Sequence, residues 1–137
     1  MVDRRTETDM TELKTILHVD DDEDILEITR MALQMVDTFE LHQCSSGSAA
    51  LEAIGAVNPD LLLLDVMMPE MTGPELWEAV RSRQDSANIP VIFMTAKAEN
   101  TLSAELRNKG ALEVVTKPFD PMTLGSQIRA AWAARKP

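Results

Sequence analysis

Five short apolar segments alternate with segments of helical periodicity along most of the chain, and this alternation limits the possible folds more than any other feature. The apolar segments are 15–19, 39–44, 61–66, 91–95 and 113–116. The third reads LLLLDV, and such a continuous apolar run is typical of a strand covered by helices on both faces of a parallel sheet. We therefore predict an α/β fold of the (βα)₅ type, in which right-handed crossovers give an open, doubly wound sheet.

Apolar residues at three- and four-residue steps mark one face of each intervening helix. These positions are Ile25, Ile28, Ala32 and Val36; Ala50, Ile54 and Val57; Leu76 and Val80; Leu102 and Leu106; and Leu124, Ile128, Ala131 and Trp132. Pro74 suits the start of the third helix. Gly110 suits the end of the fourth.

Length, charge and cysteine content narrow the class of protein. The 137 residues suit one domain, and we expect a flexible lead-in over 1–13 followed by a single folded unit over 14–137. The net charge of −10 argues against direct binding of nucleic acid or an anionic membrane, and favours a cation or a basic partner. Cys44, the only cysteine, excludes an internal disulfide. The sequence shows neither a signal peptide nor a membrane-spanning apolar run, so we expect a cytoplasmic protein.

Polar residues follow four of the predicted strands. Asp20 and Asp21 follow the first, Asp65 the third, Thr95 the fourth and Lys117 the fifth. Because ligands of open α/β sheets bind beyond the carboxyl ends of the strands, we expect these side chains to converge. Crowded carboxylates repel each other, and Mg²⁺, which prefers oxygen ligands, would relieve that repulsion. An aspartate can also act as a nucleophile and form an acyl phosphate.

The stretch ILHVDDDED (16–24) contains five consecutive acids, and we expect them to divide into two groups. Asp20 and Asp21 belong to the predicted site. Asp22, Glu23 and Asp24 fall in the first turn of the first helix, where negative charge is favourable, and Asp22 is a candidate cap.

Four motifs in this order resemble the receiver domain of two-component response regulators: ILHVDDDED, LLLLDVMMPEMTG, VIFMTA and VVTKPF. Each motif alone is weak, whereas the four together at strand ends are strong. The resemblance extends from about Thr15 to the end of the chain. It implies a flavodoxin-like sheet with strand order 2-1-3-4-5.

The resemblance also implies roles for residues near the acidic cluster. Asp65 would accept a phosphoryl group from the phosphohistidine of a sensor histidine kinase or a histidine phosphotransfer protein. Asp21 would bind Mg²⁺ directly, Asp20 would help largely through water, and Met67 would offer its backbone carbonyl.

Further implied roles fall on the last two strands and on one turn. Thr95 would be the switch hydroxyl, and Lys117 would pair with Asp65 and then with the phosphoryl group. The Lys117–Pro118 peptide would be cis, which is plausible only before proline. Gly73 would serve the turn after the active-site loop.

Three positions qualify this resemblance. Many receivers carry an aromatic switch residue where this chain has Val114, so the aromatic part of the switch is absent or relocated. Neither Met67 nor Lys97 can readily orient an attacking water, and we therefore expect slow self-dephosphorylation.

The leading hypothesis is a phosphorylation switch rather than an enzyme, acting as a stand-alone receiver or a phosphorelay intermediate. Its output would pass through the face formed by helix 4, strand 5 and helix 5 to a downstream protein, with the chain a monomer or weak dimer. One alternative is a phosphatase of the haloacid-dehalogenase type, with Asp20 as nucleophile and Asp22 as general acid. Another is a receiver-like scaffold that is not phosphorylated.

Overall fold

The computed structural model describes residues 12–96 and 100–135, which form one five-stranded sheet with helices on both faces. The strands are β1 (Thr15–Val19), β2 (Glu40–Cys44), β3 (Leu61–Asp65), β4 (Val91–Thr95) and β5 (Glu113–Thr116). All four pairings are parallel, and the order is β2-β1-β3-β4-β5. The structure therefore confirms the predicted doubly wound fold and its strand order.

The helices alternate with the strands as predicted. They are α1 (Glu23–Arg30), α2 (Gly47–Val57), α3 (Gly73–Arg81), α4 (Asn100–Asn108) and α5 (Leu124–Ala133). A π-helical segment, Met31–Val36, extends α1 directly. Within the described part of the chain, no helix has the length and apolar character that crossing a membrane requires.

The core consists of two apolar layers, one on each side of the sheet. Residues of α2, α3 and α4 contribute to one layer, and residues of α1, its π-helical extension and α5 contribute to the other. Leu62 and Leu64 of β3 face the first layer, while Leu61 and Leu63 face the second. This arrangement explains the LLLL run, because side chains alternate between the faces of a strand and both faces of this one are buried.

Capping residues and one glycine mark where three of the helices begin or end. The Asp22 carboxylate accepts hydrogen bonds from the backbone N–H groups of Asp24 and Ile25, so it caps α1 as expected. Thr72 and Glu75 form a reciprocal capping box at the start of α3. Gly110 follows α4 with a φ of 114°, a conformation that favours glycine.

The predicted buried face of α1 is partly wrong. Ala32 is fully buried, but Ile28 and Val36 are 36% and 47% exposed, and the buried partners of Ala32 are Thr29 and Leu33. The π-helical segment has a wider turn than an α-helix, so a three- and four-residue count does not follow the buried face as far as Val36. Ile28 lies before this segment, in α1 itself, where the buried residue is Thr29. Most of the predicted lead-in lies outside the described residues, whereas Leu13 packs into the core.

Candidate functional site

Three carboxylates meet beyond the carboxyl ends of the two central strands. Asp20 and Asp21 directly follow β1, and Asp65 is the last residue of β3, which pairs with β1. One carboxylate oxygen from each residue lies within 4.8 Å of the others. Asp20 is fully buried and Asp65 nearly so, while Asp21 is exposed. The predicted convergence is therefore present, and the cluster suits a hard cation with oxygen ligands.

Lys117 brings a positive charge into this cluster from the end of β5. Its Nζ donates to Asp20 Oδ2 at 2.7 Å and to Asp65 Oδ1 at 3.0 Å. The backbone N–H of Lys117 donates to the carbonyl of Thr95, which aligns the ends of β4 and β5. The contact with Asp65 matches the role that the family resemblance implies. The shorter contact with Asp20 joins residues 97 positions apart and has no signal in the sequence.

Burial and charge shift the proton equilibria of this group. Burial raises the pKa of Asp65 to about 6; the Lys117 hydrogen bond opposes the shift and the negative charge of Asp20 adds to it. Burial disfavours the ammonium of Lys117, but its hydrogen bonds to Asp20 and Asp65 prevail and raise its pKa. Asp65 is thus a carboxylate above pH 6, and Lys117 remains an ammonium.

A cavity of about 580 Å³ opens above these residues. Its lining includes the three carboxylates, Lys117, Thr95 and Met67, so the structure places these predicted site residues together. The Met67 side chain is 73% exposed at its rim, and Thr95 is buried. Lys97, the other position assigned to phosphate lifetime, lies outside the described residues. Sequence reasoning missed Leu102, which also lines the cavity from α4.

Two backbone features support the loops around the cavity. The Gly73 N–H donates to the Val66 carbonyl, and a Cβ at Gly73 would collide with the backbone carbonyl of Asp65. Only glycine therefore lets the start of α3 pass this close to the end of β3. The Lys117–Pro118 peptide is cis, as the family resemblance implies.

Two further titratable residues near the site, Asp22 and His18, make contacts that support the fold. Asp22 Oδ1 is engaged by the N-terminus of α1, the contact expected of a helix cap. Burial, aided by the charge of Lys117, lowers the pKa of His18 to about 3, so this residue is neutral at pH 7. Its Nδ1 lies 3.1 Å from the side-chain amide of Gln43.

Val114, at the position where many receivers have an aromatic residue, is a packed aliphatic side chain. Val114 is 8% exposed and pairs with Phe93 across β4 and β5. It belongs to the core layer beneath α3 and α4. β5 (Glu113–Thr116) contains no aromatic residue.

An acidic pocket with a paired lysine, at the carboxyl end of a 2-1-3-4-5 parallel sheet, defines the class of receiver-like α/β proteins. The family model for the response regulator receiver domain matches residues 16–129. The chain therefore belongs to the response regulator receiver domain family.

Two similar proteins carry the names of transcriptional regulators. The chain is 39% identical over 121 residues to the transcriptional regulatory protein CseB of Streptomyces avermitilis, covering 88% of this chain and 50% of that one. It is 36% identical over 117 residues to the phosphate regulon transcriptional regulatory protein PhoB of Pseudomonas aeruginosa, covering 85% and 51%. The chain thus spans about half the length of these relatives.

Solved structures show the same fold. The chemotaxis protein CheY4 of Vibrio cholerae superposes with a TM-score of 0.79 at 28% identity, covering 88% of this chain and 99% of that one. A putative response regulator from Chloroflexus aurantiacus gives a TM-score of 0.79 at 29% identity, covering 89% and 99%. Both likenesses extend over nearly the whole described chain.

Proposed function

We propose that this receiver domain accepts a phosphoryl group on Asp65 and changes a protein-binding face in response. The observation that carries the proposal is the placement of Asp65 within hydrogen-bond reach of Lys117 and in one cluster with Asp20 and Asp21. Above pH 6 Asp65 presents a carboxylate, the form that attacks phosphorus. The chain acts as a switch, and its only chemistry is its own phosphorylation and dephosphorylation.

Asp20, Asp21 and Asp65, with the backbone carbonyl of Met67, would hold Mg²⁺. Both Asp20 oxygens already have partners, since Oδ1 accepts from the Asp22 N–H at 3.0 Å and Oδ2 from Lys117. Exposed Asp21 is the better direct ligand, which supports an indirect role for Asp20 through water. When bound, Mg²⁺ supplies positive charge to the phosphoryl oxygens.

In the transfer step, a carboxylate oxygen of Asp65 forms a bond to phosphorus while the N–P bond of a phosphohistidine breaks. The electron pair of that bond stays on the imidazole nitrogen, which takes a proton from solvent. Lys117 Nζ, 3.0 Å from Asp65, would move its hydrogen bond to a phosphoryl oxygen and hold the product. Thr95, which lines the same cavity, would bind the phosphoryl group through its hydroxyl.

The phosphodonor would dock on an exposed apolar face beside the site. This face consists of Ile28, Met31, Met35 and Val36 on α1 and its extension, together with Met122. α1 begins shortly after Asp20 and Asp21, and Met122 lies in the loop that follows Lys117. Both parts of the face therefore flank the cavity. A histidine kinase or histidine phosphotransfer protein docked here would bring its phosphohistidine to Asp65.

An Ile28→Lys variant separates docking from chemistry. Phosphorylation by a histidine kinase should slow more than tenfold, because a charge would be buried in the apolar contact. Phosphorylation by phosphoramidate, a small donor that needs no docking, should be unchanged. Equal rates of wild type and variant with a kinase would exclude this face.

The switch would depend on Thr95 and the loop that follows it, and its output would pass through the face of α4, β5 and α5. Val114 is packed in the core and offers no aromatic ring to rotate. A Thr95→Val variant should therefore still be phosphorylated, but amide chemical shifts of β5 and α5 should no longer respond. An unchanged response in this variant would exclude Thr95 as the switch.

The central experiment uses phosphoramidate with Mg²⁺ and intact mass spectrometry, which measures the addition of one phosphoryl group. Wild type should gain it, and Asp65→Asn should not. Asp20→Asn should gain it with a weaker dependence on Mg²⁺ concentration. A scaffold without this activity would give no adduct under any condition, whereas a haloacid-dehalogenase-type nucleophile would make Asp20→Asn the inactive variant.

A further inference from the structure

A second cavity, of about 390 Å³, lies at the opposite end of the sheet from the phosphorylation site. It opens between the starts of β4 and β5 and the ends of α3 and α4, and Val91, Leu112, Arg81 and Gly110 line it. Val91, at its floor, lies four positions before Thr95 on β4, which corresponds to about 13 Å along the strand. This size is in the range of clefts that bind small molecules.

The lining of this cavity is basic in a chain that is strongly acidic. Arg81, Lys109 and Arg135 line it, and no aspartate or glutamate does. The whole chain has 23 acids and 13 cations, so a lining with three cations and no acid departs from the average surface. At physiological ionic strength charges beyond about 8 Å are largely screened, so the carboxylates at the other end of the sheet contribute little to the charge of this lining.

The positions of the cations at helix ends explain part of this arrangement. Arg81 Nη1 donates to the Lys109 carbonyl at 3.3 Å, and Arg135 Nη1 donates to the Trp132 carbonyl at 2.7 Å. Such contacts complement helix C-termini. None of the ion pairs among the described residues includes Arg81 or Lys109, so the charges of these two side chains have no carboxylate partner there.

The rest of the wall is apolar and aromatic. The Arg81 guanidinium lies over the Trp77 ring at 4.8 Å from its centroid, which fixes the orientation of its donors. Ile89, Pro90 and Leu112 complete a wall beside the cations. Orientated arginine donors beside an apolar wall match a ligand that joins an anionic group to a flat hydrocarbon body.

We propose that this cavity, lined by Arg81, Lys109 and Arg135, binds a small organic anion with a phosphate or carboxylate group on a planar apolar body. The site is separate from the acidic pocket, and its existence does not depend on phosphorylation of Asp65. It would give the receiver a second chemical input at the other end of β4 and β5.

The test uses ¹⁵N-labelled full chain without Mg²⁺ and three probes: 1-naphthyl phosphate, 1-naphthoate and uncharged 1-naphthol. At least one anionic probe should shift the amide signals of Val91, Gly110 and Leu112, with a dissociation constant on the order of 0.1–1 mM. The two anions distinguish a phosphate from a carboxylate ligand. 1-Naphthol should bind at least tenfold more weakly, and added salt should weaken the anionic probes.

Paired charge variants complete the test. Arg81→Gln/Lys109→Gln should weaken binding at least tenfold, while Lys14→Gln/Arg30→Gln, which removes the same charge elsewhere, should leave it unchanged. Lys109→Gln alone keeps the Arg81–Trp77 contact and guards against a folding defect. The proposal is overturned if neither anion shifts these amides, if 1-naphthol binds as tightly, or if the cavity variants bind like wild type.

Discussion

Asp65 is held in the folded chain in a state that costs free energy. Its side chain is nearly buried, its pKa is raised to about 6, and Lys117 compensates only part of the desolvation. The position of Asp65 at a strand end was predictable, because parallel strands end at one edge of the sheet. The shared contact of Lys117 with Asp20 was not, because it depends on how β5 sits relative to β1.

The Asp65→Asn variant should be more stable than wild type at pH 8 in Mg²⁺-free buffer. The raised folded pKa means that Asp65 favours folding fully below its unfolded pKa, about 3.9, and that this contribution is lost as pH rises through 6. A shift of about two pKa units corresponds to roughly 3 kcal/mol, and loss of the Lys117 hydrogen bond offsets part of it. We expect a net gain of about 1 kcal/mol.

Urea unfolding of both proteins at pH 4 and pH 8 measures this difference. The gain should be present at pH 8 and absent at pH 4, where the wild-type carboxyl is protonated in the folded state. A variant that is less stable than wild type at pH 8 would show that Asp65 is stabilised, not strained, by its surroundings.

Met67 should govern the lifetime of the phosphorylated state. Its exposed thioether lies at the rim of the cavity and cannot orient an attacking water. We expect a half-life of minutes or longer for the wild type, and a several-fold shorter one for Met67→Asn, whose amide can hold a water. Met35→Asn, an equal change at an exposed methionine on the extension of α1, is the control. Decay of the wild type within seconds would contradict the hypothesis of slow dephosphorylation.

At the scale of elements, the strands were predictable almost to the residue, while α1 was not. Apart from β2, each strand is a short, largely apolar run with a polar residue at or directly after its end, and both signals are local. Sequence periodicity placed Ile28 and Val36 on the buried face, but Thr29 is the buried residue of α1, and Val36 is exposed at the end of the π-helical extension. Both residues belong to the exposed apolar face beside the site, and sequence reasoning therefore did not identify that face.

Substitutions at the start of α1 test which of the five acids of 20–24 stabilise the helix and which belong to the phosphorylation site. Asp22→Ala removes the cap of α1 and should cost about 1 kcal/mol of stability. Phosphorylation of Asp65 should be preserved, because the Asp22 side chain is hydrogen-bonded to the N-terminus of α1. Asp24→Ala, which removes an acid without a capping side chain, should cost only a few tenths of a kcal/mol.

Thermal or urea unfolding and intact mass measure both effects on the same samples. Loss of phosphorylation in Asp22→Ala, with stability unchanged, would instead support a general-acid role for Asp22.

At the scale of the molecule, the sheet separates two regions of opposite charge. Carboxylates gather beyond the carboxyl ends of β1 and β3, and three cations line the cavity at the starts of β4 and β5. The sequence predicted the first, since each acid follows a strand. It did not predict the second, because Arg81, Lys109 and Arg135 lie at the C-terminal ends of three separate helices and meet only in the folded chain.

The identity of the residue that carries the phosphoryl group can be determined directly. After reaction with phosphoramidate and Mg²⁺, borohydride reduces an aspartyl phosphate to homoserine, and peptide mapping locates that residue. We expect homoserine at position 65 alone, and none in Asp65→Asn or without the phosphodonor. Homoserine at position 20, or unmodified peptides throughout, would contradict it.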